Sequence, residues 1–170
     1  MASDYKAMAT AEAIKQGAPV NLVLATLEAE NNFVNGLGDG GDSLGFGQVQ
    51  PRFHMDNYKA TAKEFGIALP SDAEGLKKLV LGNDAFSIAL AVNTINEGWK
   101  ATEGDWVAFT KWYVGTGISN ADLKRREGIW NKYSNNSSDS SMILSSNTKN
   151  IGIYAGLGII GFILLWVLSD

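Results

Sequence analysis

Glu30 closes an apolar helical run and stands directly before the polar pair Asn31 and Asn32, after which the chain turns glycine-rich. A carboxyl group at such a border is partly desolvated, which raises its pKa and keeps part of it protonated near neutral pH. A general acid needs that property, and protonating a glycosidic oxygen is the hard half of breaking an acetal. Residues 35–47 hold six glycines in thirteen positions, which predicts a loop or short hairpin whose backbone can approach another group closely. Within it, Asp39 is the candidate second carboxylate, although aspartate between glycines is also an ordinary turn former, and Asp42 reads more simply as turn chemistry. Glu28 lies two positions from Glu30, on a different helix face, and is expected to be the solvent-exposed one of the pair.

The rest of the composition narrows the chemistry to carboxylates, hydroxyls and backbone. The chain has no cysteine, so it lacks thiol nucleophiles, disulfides and thiolate metal sites. Its single histidine, His54, falls short of the two or three imidazoles of a zinc hydrolase and reads as a surface or satisfied side chain. No metal or organic cofactor is expected. The formal net charge of -4 and pI near 5.0 disfavour nucleic acid as a partner, which would call for a clustered basic face. The run Lys124, Arg125, Arg126 reads as a solvated helix face.

The elements that must position these groups are mainly helical, in an α+β arrangement with the glycine-rich hairpin interrupting the helices. Pro19 opens a helix through Val20, Val23, Leu24 and Leu27; Ser71 and Glu74 form a capping box ahead of Leu76, Leu79 and Val80, stopping at Gly82. Asn83 caps a helix carrying Phe86, Ala89, Leu90 and Ile95, and Asp105 leads into Trp106, Phe109, Trp112 and Tyr113. A last helix is expected over residues 121–133.

Residues 1–133 therefore read as one domain. Residues 134–150 are serine- and asparagine-rich without apolar period and read as a flexible linker. Residues 151–168 are free of charge, the short end of a bilayer-spanning helix, with Tyr154 and Trp166 as interfacial anchors. Gly152 and Gly156 form a G-x-x-x-G pair through which two such helices can pack as a homodimer. The amino terminus lacks the basic-then-apolar profile of a secretory signal. Membrane attachment through a C-terminal single-pass helix is the expected location.

The run P-V-N-L-V-L-A-T-L-E-A-E-N-N-F, followed by S-L-G-F-G-Q-V-Q-P, resembles the goose-type lysozyme and soluble lytic transglycosylase superfamily. Glu30 matches that family's catalytic glutamate, Asn31 stands at its usual serine, and Gly45, Phe46, Gly47 and Gln48 fill its second motif. Asp39 takes the position of the goose-type loop aspartate. The segment S-I-A-L-A-V is similar to the family's third motif, usually N-I-x-x-G, and W-Y-V-G-T-G to its Y-N-A-G-P-G. A gapless match there sets Trp112 on the tyrosine, whereas a shift of one residue restores Tyr113.

The resemblance implies a lysozyme-like fold and cleavage of the MurNAc-GlcNAc β-1,4 bond of peptidoglycan, with Glu30 as acid. Gly45, Phe46, Gln48, Trp112 and Tyr113 are implied on the substrate side, Gln48 either binding an N-acetyl group or holding the loop, and the three aromatics either stacking on sugar rings or, as is commoner at helical spacing, packing in the core. With Asp39 as base, water attacks and the enzyme is a lysozyme. Without a second carboxylate, Glu30 takes the proton back from the muramic C6 hydroxyl and a 1,6-anhydro product leaves. A membrane-anchored phage protein that opens the wall from the virion membrane fits the size and the apolar end, with a bacterial inner-membrane enzyme as the other placement. The alternative of another class is a non-catalytic peptidoglycan-binding or structural virion membrane protein.

Overall fold

One helix, α5 (Asp84–Ala101), runs through the middle of the molecule, and the other elements are arranged around it. In the computed structural model the described residues are 2–135. They form seven α-helices and a two-stranded sheet: α1 (Ala2–Gln16), α2 (Val20–Asn31), β1 (Leu37–Gly38), β2 (Ser43–Leu44), α3 (Pro51–Glu64), α4 (Ala73–Gly82), α5, α6 (Trp106–Val114) and α7 (Asn120–Asn135). The protein is thus mainly α, as its periodicity predicts. Residues 1–133 form one compact unit.

The caps show why these segments start where they do. Asn83 accepts from the Phe86 amide and Asp105 from the Ala108 amide, each satisfying an orphan donor of the first turn. Ahead of α4 the cap is Asp72, whose side chain accepts from Gly75, and not Ser71 as the capping-box reading has it. Two adjacent residues could each serve, and the aspartate carries the charge that favours a helix N-terminus. At the end of α2, Asn32 and Phe33 both take positive φ, and their amides fold back onto the Glu28 and Leu27 carbonyls. That abrupt stop leaves Glu30 in the last helical turn.

The apolar interior has two clusters. One joins α1, α2 and α5 through Ala9, Ala13, Leu22, Val23, Leu27, Val92 and Ile95; the other joins α3, α4 and α5 through Tyr58, Val80, Phe86 and Leu90. The glycine-rich stretch is a small antiparallel hairpin, with Leu37 opposite Leu44 and Gly38 opposite Ser43. It is fastened to α5 by Ser87, whose hydroxyl accepts from the Phe46 amide at 3.1 Å.

That fastening places two of the expected substrate-side residues. Phe46 takes the core alternative: its side chain is completely buried, 4.8 Å ring to ring from Tyr5, and belongs to the first apolar cluster. Gly45 is likewise structural, since it holds φ +79° and a Cβ there would lie 2.3 Å from the Ser87 hydroxyl and 2.7 Å from Val80.

The expected linker over 134–150 lies outside the described residues except at its first two positions, and the apolar segment 151–168 with Gly152 and Gly156 lies outside them altogether. Among the described residues no helix is long and apolar enough to cross a membrane.

Phe46→Ala removes a core aromatic, so it should lower the unfolding free energy by about 3 to 5 kcal/mol in urea titration. A binding residue would leave stability nearly unchanged.

Candidate active site

A cleft of about 740 Å³ opens where the end of α2, the hairpin, the start of α3, α5 and the end of α6 meet. Glu30, Asp39, Gln48, Trp112 and Tyr113 all line it, so five of the seven residues singled out in the sequence come together there. Gly45 and Phe46 are the two that do not. His54, Glu97 and Arg126 line it as well.

Glu30 is nearly buried, with its side chain 13 % exposed, and it meets a partner from the far end of the domain. Arg126 Nη1, on α7, donates to Glu30 Oε1 at 2.6 Å, and the arginine side chain is itself only 11 % exposed. Burial pushes the Glu30 carboxyl above the ordinary glutamate value, while the positive charge and hydrogen bond of Arg126 pull it back down. Burial is the larger effect, so the net displacement is upward, toward the acid form.

The Lys124, Arg125, Arg126 run is therefore not simply a solvated face. Arg126 forks between Glu30 and Asp122, its Nε donating to Asp122 Oδ2 at 2.8 Å, and Arg125 donates to the Ala29 carbonyl at 3.2 Å. Glu28 is also not free in solvent. Lys132 donates to it at 2.7 Å and the Tyr133 hydroxyl at 2.5 Å; burial alone would raise this carboxyl, but those two bonds outweigh it and leave it below its ordinary value.

Asp39 holds φ +49°, a left-handed conformation that aspartate tolerates in turns. Its Oδ2 accepts from the Ser43 hydroxyl at 2.5 Å and from Gln50 Nε2 at 3.0 Å. It is both a turn former and a carboxylate on the cleft wall. Asp42 stays in turn chemistry, its amide bonded to the Asp39 carbonyl.

Gln48 holds the loop: its Nε2 donates to the Gly45 and Gly36 carbonyls at 2.7 and 3.2 Å, leaving Oε1 as its remaining acceptor. The Tyr113 hydroxyl donates to the Gly47 carbonyl at 2.7 Å, and burial together with the charge of Glu30 holds that hydroxyl well above its ordinary value. Of the two neighbouring aromatics, then, Tyr113 supplies the hydroxyl near Glu30. Trp112 forms a different wall, 5.5 Å ring to ring from His54, and packs over Gly98, where a Cβ would lie 2.3 Å from the indole.

His54 is thus part of the cleft rather than a bland surface residue. Burial lowers its pKa despite the charge of Glu97, which favours the neutral imidazole. Its kink in α3, with φ −127° and ψ 28°, turns it toward Trp112 in a way that no sequence period reveals. Glu97 has no sequence motif around it and shares α5 with the buried core; its Oε2 accepts from Asn57 at 2.7 Å. Among the described residues no group of three histidines or carboxylates gathers to hold a metal ion.

No protein-family model matches the chain, and no curated protein matches it with significance. A raised carboxyl and a second carboxylate line the same cleft, with an indole and an imidazole on one wall. Those are the parts from which acid-assisted acetal cleavage is assembled.

A carboxyl raised by folding adds stability that is complete below its unfolded value and is lost as pH rises through its folded one. Glu30→Gln, which leaves Arg126 paired with Asp122, should therefore melt above wild type near pH 7. The gap should close at about pH 4, where both carry a neutral side chain. Calorimetry of the two proteins across that range checks it.

Proposed function

We propose that the protein cleaves the glycan strands of peptidoglycan as a lysozyme-like glycosidase, with Glu30 as the general acid. The observation that carries this reading is the nearly buried, raised carboxyl of Glu30 in a cleft that also holds Asp39, Gln48 and Tyr113. The resemblance of the Glu30 and G-F-G-Q segments to the goose-type lysozyme and lytic transglycosylase superfamily supports it, as does the Tyr113 hydroxyl beside that glutamate.

In the bond-breaking step Glu30 gives its proton to the glycosidic oxygen between MurNAc and GlcNAc. The C1–O bond breaks and its electron pair leaves with that oxygen. Two routes complete the reaction. If Asp39 draws a proton from water, hydrolysis follows; if the ionised Glu30 takes the proton of the muramic C6 hydroxyl, that oxygen closes on C1 and a 1,6-anhydro end results. The Ser43 hydroxyl and Gln50 Nε2 both bond Oδ2 of Asp39, so the loop already engages the oxygen that would have to receive a proton from water. That observation favours the transglycosylase route.

The uncharged segment 151–168 would hold the domain at a membrane, in a phage virion or at the bacterial inner membrane, and so keep its action on the wall local. A non-catalytic wall-binding role draws on one observation, the ion pair that engages Glu30.

Full-length protein in mild detergent, incubated with purified peptidoglycan, should release muropeptides with anhydro-muramic ends by mass spectrometry. Glu30→Gln should cut that release by roughly 10² to 10⁴, the contribution of a positioned acid. Reducing ends would assign the reaction to Asp39 and water. Absence of products from wild type, with sedimentation onto the wall retained, would leave only the binding role.

A further inference from the structure

Among the described residues Arg126 is the one hydrogen-bond donor to Glu30, and it engages a single oxygen, Oε1. The other face of the guanidinium is committed: Nε donates to Asp122 Oδ2, while Asp122 Oδ1 accepts from Arg125. Glu30, Arg126 and Asp122 thus form a chain of alternating charge that runs from the cleft into α7, with its first two members nearly buried. We propose that Arg126 is a positioning residue that pins Oε1 of Glu30, so that Oε2 carries the proton, and that Asp122 tempers the guanidinium so that Glu30 is not locked as a carboxylate. The proposal rests on the reading of Glu30 as the acid.

The physical reason is that one N–H···O bond serves both protonation states. A neutral carboxyl keeps a carbonyl oxygen that accepts from Arg126 while the hydroxyl oxygen holds the proton. Once that proton has gone to the glycosidic oxygen, the same contact becomes charge-assisted and stronger. The carboxyl therefore need not rotate between giving a proton and taking one. A lone arginine at this distance would hold the group ionised; Asp122 opposes it, acting both on Glu30 directly and on the charge of Arg126. Arg125 and Tyr113 also face Glu30, and Asp39, His54 and Glu97 share its cleft. None of these bonds the carboxyl.

The two partners should act in opposite directions, which a merely structural role would not produce. The alkaline limb of the kcat/KM profile reports the free acid. In full-length Arg126→Gln that limb should move to higher pH while kcat on its plateau falls roughly ten- to a hundredfold, the cost of a misplaced reacting group. In Asp122→Asn the limb should move to lower pH. Arg126→Lys, which keeps the charge without the fork, should hold the limb near wild type with kcat still reduced. A ¹³C NMR titration of the Glu30 side-chain carboxyl in the same proteins should show the same opposed shifts, and it needs no turnover. Limbs and carboxyl titrations that stay in place, or that move the same way in both variants, would overturn the proposal. If no protein releases product, the proposed function fails, and the carboxyl titration alone then decides the Arg126 and Asp122 arrangement.

Discussion

Helix α5 is buried along most of its length, with eleven of its residues shielded from solvent, and every part of the cleft is referred to it. A helix packed on so many sides must carry small side chains where neighbours come close and satisfied polar ones where they cannot be avoided. Ala89 and Ala91 serve the first need. Ser87, Thr94 and Asn96 serve the second, bonding the Phe46 amide, the Leu90 carbonyl and the Gln16 carbonyl. The same helix also sets the site: Ser87 fastens the hairpin, Gly98 makes the seat for Trp112, and Glu97 reaches the cleft. A change that shifted α5 by a fraction of an ångström would move all three walls together.

Against that rigid reference, the placement of Glu30 is a compromise between burial and charge. A carboxyl fully exposed at a helix end would be ionised and useless as an acid. One fully buried without a partner would carry a large desolvation cost on losing its proton. Glu30 lies between, because α2 ends within a residue of it and the left-handed Asn32 and Phe33 turn the chain away. The turn depends in part on Phe33 being buried, with the Lys6 ammonium 5.0 Å from its ring centroid. The amino-terminal helix thereby helps to fix a carboxyl it does not touch.

How much of this could be read from the sequence depends on the range of the interaction. The caps at Asn83 and Asp105, the apolar faces of α2, α4 and α5 and the hairpin in the glycine-rich stretch were all legible, because each rests on contacts a few residues apart. Helix α1 was not, since its buried face is made of alanines, Ala9 and Ala13, whose periodicity hardly stands out from its polar neighbours. Phe46 is different again: the resemblance puts it on the substrate side, and only the fold shows that the glycines let the chain pass close to α5 while the ring turns inward. His54 and Glu97 had no local pattern around them, and their place in the cleft comes from a kink and from a helix 40 residues distant from its hydrogen-bond partner.

Arg126 is the extreme case, 96 residues from Glu30 and set in a basic run that reads as solvent-facing. Helix α7 has no fully buried residue; it is held by Lys132 and Tyr133 on Glu28, Arg125 on the Ala29 carbonyl, Arg126 on Glu30, and Trp130 against Trp99. Two of those attachments are the glutamates of α2 themselves. The helix that balances the charge of the acid is thus kept in place largely by acids of the same helix, so charge balance and docking are one interaction. An element with a broad apolar stripe would dock on the core wherever α2 ended. One held largely by side-chain tips docks where its acceptors stand, which ties the position of the end of the domain to the last turn of α2.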